Sequence, residues 1–323
     1  MILINRHVLL ALLVTTSLIA NAAEWPIQPV KIVLPYPPGG ASDVTARLLG
    51  AKLSQIWNQP VLIENRPGAN GIVANQFVAK SAPDGYTVLM ANLGPNGINP
   101  AIYSKLPYDT VKDFEPVILT TKVPLVIVTA PTSPFRSLTQ LVAGAKEQPT
   151  KLSFGSAGNG SGSHLGGELL FSTVGAPMLH VPYKGDAPAI TDVMGGQIAT
   201  ALPTAVAATS QVKGGTLRAL AVTSRKRLPS MPEVPTVEEA LGLNNFEAVS
   251  WGGFMVPAGT PKEIITKMNT DMNRALVMPD IVDKLQAQGA EIVGGSPDAF
   301  KEFVHAEVVK WKGVASRANI KME

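Results

Sequence analysis

Two glycine-rich stretches, PYPPGG at 35–40 and SAGNGSGS at 156–163, are where this chain has groups that could do chemistry. Each follows a short β-favouring run, VKIVL in the first case and KLSFG in the second, and each opens into an amphipathic one. In the first, Pro35, Pro37 and Pro38 remove backbone donors and fix φ, while Gly39 and Gly40 admit conformations closed to other residues. A stiff loop of this kind delivers bare N–H groups at the positive end of a helix dipole, which suits a small anion. The residues by themselves allow a ligand-free connector equally well.

The side chains nearby are few. Asp43 falls in the first helical turn, where a carboxylate caps or braces N–H groups and does not itself attract an anion. His164 stands at a helix start and can either bond to its own loop or touch a ligand. Lys184, in the YKGDAP turn, is a solvated lysine or a cation for the ligand. His180 on an apolar strand reads as a core histidine, and Trp251 as packing where the chain returns to its first domain. Catalytic constellations are not found. There is no Cys, and Asn159 occupies the place of the first Gly in a G-x-S-x-G elbow around Ser161. Ser163 occupies the last Gly position of G-x-G-x-x-G, and no P-loop occurs. His164, His180 and His305 have no metal-site spacing to another His or carboxylate. The expectation is a binding protein with no catalytic residue, metal or cofactor.

The elements that would position these loops alternate. Strands are expected at 30–34, 60–64 and 86–91, with helices from the PYPPGG loop and at 72–80 between them, the βαβ signature of a parallel sheet. The loop 92–97, NLGPNG, closes the third strand, and open α/β sheets bind ligands beyond the C-terminal ends of their strands. Asn92 should therefore share a crevice with PYPPGG. A second strand, loop, helix unit follows at 151–175. Helices are expected at 261–276, with Pro261 at N1, and at 280–288 and 297–318. Extended crossings near 123–130 and 248–256 indicate a discontinuous first domain, 24–125 plus 248–323, and an inserted second domain, 126–247.

The 323 residues, 46% apolar and 16% charged, suffice for two domains, and a net charge of +3 with dispersed cations gives no nucleic-acid footprint. Residues 1–23 carry Arg6 and His7, an apolar run over 8–20 and Ala20-Asn21-Ala22, the pattern of a secretory signal cleaved near Ala22 or Ala23. The expected location is the periplasm.

The series PYPPGGASDVTARLL, QPVLIENRPGANG, APDGYTVL, NPAIYSKLPYDTVKDFEPV, FGSAGNGSGSHLGGELL, HVPYKGDAPAITDVMGGQI, LRALAVTSRKR and WGGFMVPAGTP resembles the Bug family, the TctC-type periplasmic receptors of tripartite tricarboxylate transporters. The resemblance runs along the whole mature chain. It implies a type II periplasmic binding-protein fold, two α/β lobes hinged around a cleft, with a small organic carboxylate held between the two glycine-rich loops. Carried over, Tyr36, Pro38, Gly39 and Gly40 face Ser156, Ala157, Gly158, Asn159 and Gly160, with Asn92 and Lys184 bordering the cleft. It also implies delivery to inner-membrane permease subunits by a monomer. A sensor histidine kinase is the alternative partner. Where the family has acidic and aromatic residues after Gly196-Gln197, this chain has Ala199, Thr200, Ala201, Leu202, Pro203 and Thr204. The expected ligand therefore lacks an amino group.

Overall fold

The structure, a computed structural model, describes residues 25–287 and 289–322; the expected export signal lies outside the described residues. Along the chain come β1 (Val30–Leu34), β2 (Val61–Asn65), β3 (Thr87–Asn92) and β4 (Phe114–Pro124). Then follow β5 (Val126–Thr129), β6 (Ser153–Ser156), β7 (Leu179–Pro182), β8 (Thr200–Ala201) and β9 (Arg218–Val222), and last β10 (Val249–Pro257) and β11 (Glu291–Ile292). The helices are α1 (Ala41–Trp57), α2 (Ile72–Ala79), α3 (Asn99–Ile102), α4 (Leu138–Glu147), α5 (Gly162–Thr173) and α6 (Asp186–Met194). They continue with α7 (Ala205–Lys213), α8 (Val237–Leu241), α9 (Lys262–Leu276), α10 (Pro279–Ala287) and α11 (Pro297–Arg317).

Each lobe has its own sheet. One is six-stranded in the order β11-β4-β10-β3-β1-β2, the other five-stranded in the order β7-β6-β8-β5-β9. β1 pairs in parallel with β2 and β3, as the βαβ pattern predicts, but both sheets are mixed. β10 runs antiparallel to β3 and β4 because it enters from the other lobe, and β5 runs antiparallel to β8 and β9 because it likewise enters its sheet from the other lobe. The chain crosses between sheets at Leu125 and again between β9 and β10. Thr223, fully buried, ties the two crossings together. Its N–H donates to Leu125 O at 3.0 Å and its Oγ1 to Ala248 O at 2.5 Å, while Leu125 N–H donates to its Oγ1 at 2.9 Å.

The core follows from the apolar pattern. Ile32, Val33 and Leu34 of β1 are wholly buried, each stabilising the fold by roughly 1.5–3 kcal/mol. Ala46, Leu49, Leu53 and Trp57 recur on one face of α1 and pack, with Met268 and Met272 of α9, against one side of the six-stranded sheet. A second core continues across both lobes, joining Leu93 and Trp251 to Leu125, Phe154 and Leu165.

Two expectations are corrected. The 92–97 loop is helical from Gly94 onward, a π-helical turn over Gly94–Ile98 running into α3, because Asn96 folds back to accept the Asn92 N–H at 3.0 Å. Pro261 is the N-cap of α9 and not its first residue, since its ψ of 137° is still extended. The segment 205–213, to which the sequence pattern assigned no element, forms α7.

Candidate functional site

β1 and β3 end at the edge of their sheet that faces the other lobe, and so do β6 and β7. After β1, Pro35 is buried, Tyr36 half-buried, and Pro37, Pro38, Gly39 and Gly40 are exposed. Gly39 has φ +94°, a conformation that strains any residue with a Cβ. Gly40 is the N-cap of α1 and offers no side-chain cap. The first bond of that helix runs from Val44 N–H to Gly40 O, so the N–H groups of Ala41, Ser42 and Asp43 have no partner among the described residues. An open, dipole-positive helix end results.

Asp43 holds this loop in shape. Its Oδ2 accepts from Gly39 N–H at 3.0 Å and Arg47 Nε at 2.9 Å, and its Oδ1 from Arg47 Nη2 at 2.9 Å and Asn65 Nδ2 at 3.0 Å. The Arg47 hydrogen bonds, with those from Gly39 and Asn65, hold its carboxyl well below the usual range, at about 2. Asn65 also donates to Tyr36 O at 3.0 Å. The Tyr36 hydroxyl lies against the Cα of Gly94, where a Cβ would come within 2.5 Å of it, and burial pushes its pKa up. Asn92, 5% exposed, donates through Nδ2 to Ser42 Oγ at 2.8 Å, while its Oδ1 is buried without a partner among the described residues.

The second loop differs. Ala157 N–H donates to Ser163 Oγ at 2.9 Å, Gly158 N–H to Ser156 Oγ at 3.1 Å, Gly160 N–H to His164 Nδ1 at 3.2 Å and Ser161 N–H to Gly158 O at 3.1 Å. Ser161 caps α5 by accepting from His164 N–H at 3.2 Å. The loop that was expected to present bare donors thus satisfies most of them itself, because its serines stand where they reach its own backbone. Among its predicted residues only Asn159, exposed, keeps an N–H without a partner among the described residues.

Chemistry behind this loop was not read from the sequence. The rings of His164 and His180 stack at 3.8 Å, and His180 Nε2 lies 2.6 Å from Ser156 Oγ. Sixteen positions separate the two histidines, and they meet because β7, carrying His180, pairs in parallel with β6, against which α5, carrying His164, packs. Burial, with the neighbouring His180 adding to it, holds His164 down to about 3, and burial holds His180 down to about 4, so both rings are neutral. Asp186, which opens α6, was also missed. It accepts from the N–H and Oγ1 of Thr204 at 3.1 and 2.8 Å, and burial raises its pKa. Its place directly after Gly185 at a helix start was the available signal.

The predicted residues fall into one connected region. Gly94 touches both Tyr36 and Asn70, and Asn70 Nδ2 reaches across to Gly160 O at 3.3 Å. Gly185 N–H donates to Ala157 O at 3.2 Å, which attaches the Lys184 turn to the second loop. Lys184 itself is exposed and makes no polar contact among the described residues.

Two α/β lobes joined by paired crossings, with an open helix terminus at their facing edges, define a two-lobed solute-binding protein. Residues 45–320 match the tripartite tricarboxylate transporter family receptor, and the chain belongs to that family, the Bug or TctC-type receptors. The chain is 37% identical over 304 residues to protein BugT of Bordetella pertussis, covering 94% of this chain and 93% of that one. Among solved structures it resembles R. palustris Rpa4515 with adipate, at TM-score 0.83 and 36% identity over 92% of this chain and 99% of that one. It also resembles MatC (Rpa3494) from Rhodopseudomonas palustris with bound malate, at TM-score 0.78 and 32% identity, covering 90% and 99%. Among the described residues no helix is long and apolar enough to cross a membrane.

Proposed function

We propose that the chain is exported, loses residues 1–23, and holds a small organic carboxylate without an amino group between a lobe of residues 24–125 and 248–323 and a lobe of 126–247. As a monomer it then delivers this ligand to the inner-membrane permease of its transporter. The observation that carries the reading is the open N-terminus of α1, three consecutive N–H groups without partners at the end of β1, in a loop whose shape Asp43 maintains. Neutral backbone donors hold a carboxylate there without a salt bridge. Tyr36, Pro38, Gly39 and Gly40 form the first wall, Asn92 and Ser42 its floor, and Ser156 to Gly160 with His164 and Lys184 the second wall. The adipate and malate of the two related structures support a dicarboxylate. The apolar run 201–203, wholly buried, supports the absence of a partner for an amino group.

The test is a thermal-shift series with adipate, malate, succinate, aspartate and glutamate, on the wild type and on Gly40→Leu. A Cβ at Gly40 meets no atom within 4 Å and its φ is −81°, so the substitution fits the fold but fills the space before α1. Unaminated acids should stabilise the wild type, by about 2.7 kcal/mol at a hundredfold excess over Kd. Gly40→Leu should lose that gain while melting close to the wild type. Stronger stabilisation by aspartate or glutamate would sink the amino-free ligand, and an undiminished ligand response in Gly40→Leu would sink the loop as the site.

A further inference from the structure

A second space lies between the lobes, of about 890 Å³, within the roughly 300–1,000 Å³ usual for small-molecule pockets. It shares no residue with the candidate site, and the sheet order explains why. In the six-stranded sheet the crossing strands β4 and β10 separate β11, which lines this cavity, from β3 and β1, which carry Asn92 and PYPPGG. In the five-stranded sheet the cavity wall, residues 224–230, follows β9 at one edge, whereas the glycine-rich loop and the Lys184 turn follow β6 and β7 at the other. The two spaces therefore occupy opposite sides of the same pair of crossings.

The walls of the cavity combine apolar groups with five cations, Lys122, Arg225, Lys226, Arg227 and Lys310, against three acids, Glu247, Glu291 and Glu307. Leu228, Pro229, Ile292 and Phe303 supply the apolar part. Lys122 sits 5.1 Å above the Phe303 ring, its Nζ 3.6 Å from Glu247, too long for a strong ion pair. Lys310 and Arg227 are engaged by Glu307 and Glu239. Facing Lys122 from the other lobe, Arg225 and Lys226 are exposed and have no ion pair among the described residues, and the acid left over on this surface is Glu291. The hydroxyl of Ser230, also in the wall, is buried with no hydrogen-bond partner among the described residues. Cations on both lobes, an orphaned hydroxyl and an apolar floor are complementary to one kind of occupant. We propose that this cavity is a second ligand site, for a small organic anion with an apolar body, held by Arg225 and Lys226 from one lobe and Lys122 from the other.

The full chain carries its own reporters. Trp251 and Trp311 both donate their indole N–H to Glu307 Oε2, at 3.1 and 2.8 Å, and Glu307 lines the cavity. The experiment titrates benzoate to about 10 mM, the millimolar range of a weak site, into protein labelled at the indole nitrogens. Both signals should shift saturably in the wild type and equally in Gly40→Leu. In the double variant Arg225→Glu with Lys226→Glu, benzoate affinity should fall at least about tenfold. Because both side chains are exposed, that variant should melt like the wild type and keep its thermal-shift response to the cleft ligand. No saturable shift in the wild type, a shift lost in Gly40→Leu, or undiminished benzoate affinity in the charge-reversed protein would each overturn the second site. A shift lost in Gly40→Leu would place benzoate in the cleft, whereas the other two outcomes leave the cleft untouched, and the carboxylate series tests the cleft separately.

Discussion

Replacing Asp43 by Asn isolates what the carboxylate contributes to the loop that opens α1. The change keeps the size of the side chain and one acceptor oxygen but turns the other acceptor into a donor, facing groups that themselves donate: Gly39 N–H, the Arg47 guanidinium and Asn65 Nδ2. The carboxyl pKa is lowered from 3.8 to about 2, and each pKa unit corresponds to about 1.36 kcal/mol, so the native interactions favour the charged form by roughly 2.4 kcal/mol. Arg47 is half exposed, which screens its share and leaves about 1–2 kcal/mol. Because the folded pKa lies below the unfolded one, this stability is complete above pH 3.8 and is lost as the pH falls toward 2. Urea unfolding of wild type and variant across that range reads the difference directly. The gap should be about 1–2 kcal/mol at pH 7 and should close toward pH 2. A gap of equal size at both pH values would refute the electrostatic account and leave only a packing effect.

The stacked histidines also lose stability to acid, but in a higher pH window. Their folded pKa values, about 3 and about 4, lie below the ordinary 6.5, so the unfolded chain takes up protons that the fold refuses and stability declines as the pH drops from 6.5 toward 4. The double variant His164→Gln with His180→Gln should flatten that part of a stability–pH profile measured by chemical denaturation; an unchanged slope would place the acid sensitivity elsewhere. Thr223→Val removes the hydroxyl that accepts from Leu125 N–H and donates to Ala248 O, leaving a buried donor unpaired. It should cost about 1–3 kcal/mol in equilibrium unfolding, and a neutral result would show that the crossings do not depend on it.

Much of the fold was legible because local pattern and tertiary environment agree. The strands at 30–34 and 60–64 and the helix opening at Ala41 carry their period in the sequence, and the proline and glycine punctuation marks where one becomes the other. What failed to show was set by distant partners. The antiparallel entry of β10 depends on where the second crossing lands, and α7 begins beside Thr204, whose N–H and hydroxyl both go to Asp186 eighteen residues earlier. The glycine-rich loops looked alike as sequences. They differ because Ser156, Ser161 and Ser163 turn their hydroxyls onto the second loop, while the first has no serine or threonine before α1 and leaves its helix end open. Composition gives the glycines; only the geometry says which N–H groups remain to be used.

That difference has a kinetic side. In the proposed site, a loop already bonded to itself would not need to be ordered when a ligand arrives, so the entropic cost of binding would fall on closure of the lobes and not on the SAGNGSGS segment. The acid would settle first on the open end of α1, and the second lobe would then meet it as a finished surface. Different acids would reach that first landing point at similar rates and be told apart by how long the closed form retains them, which makes residence time the quantity through which this receptor expresses its preference.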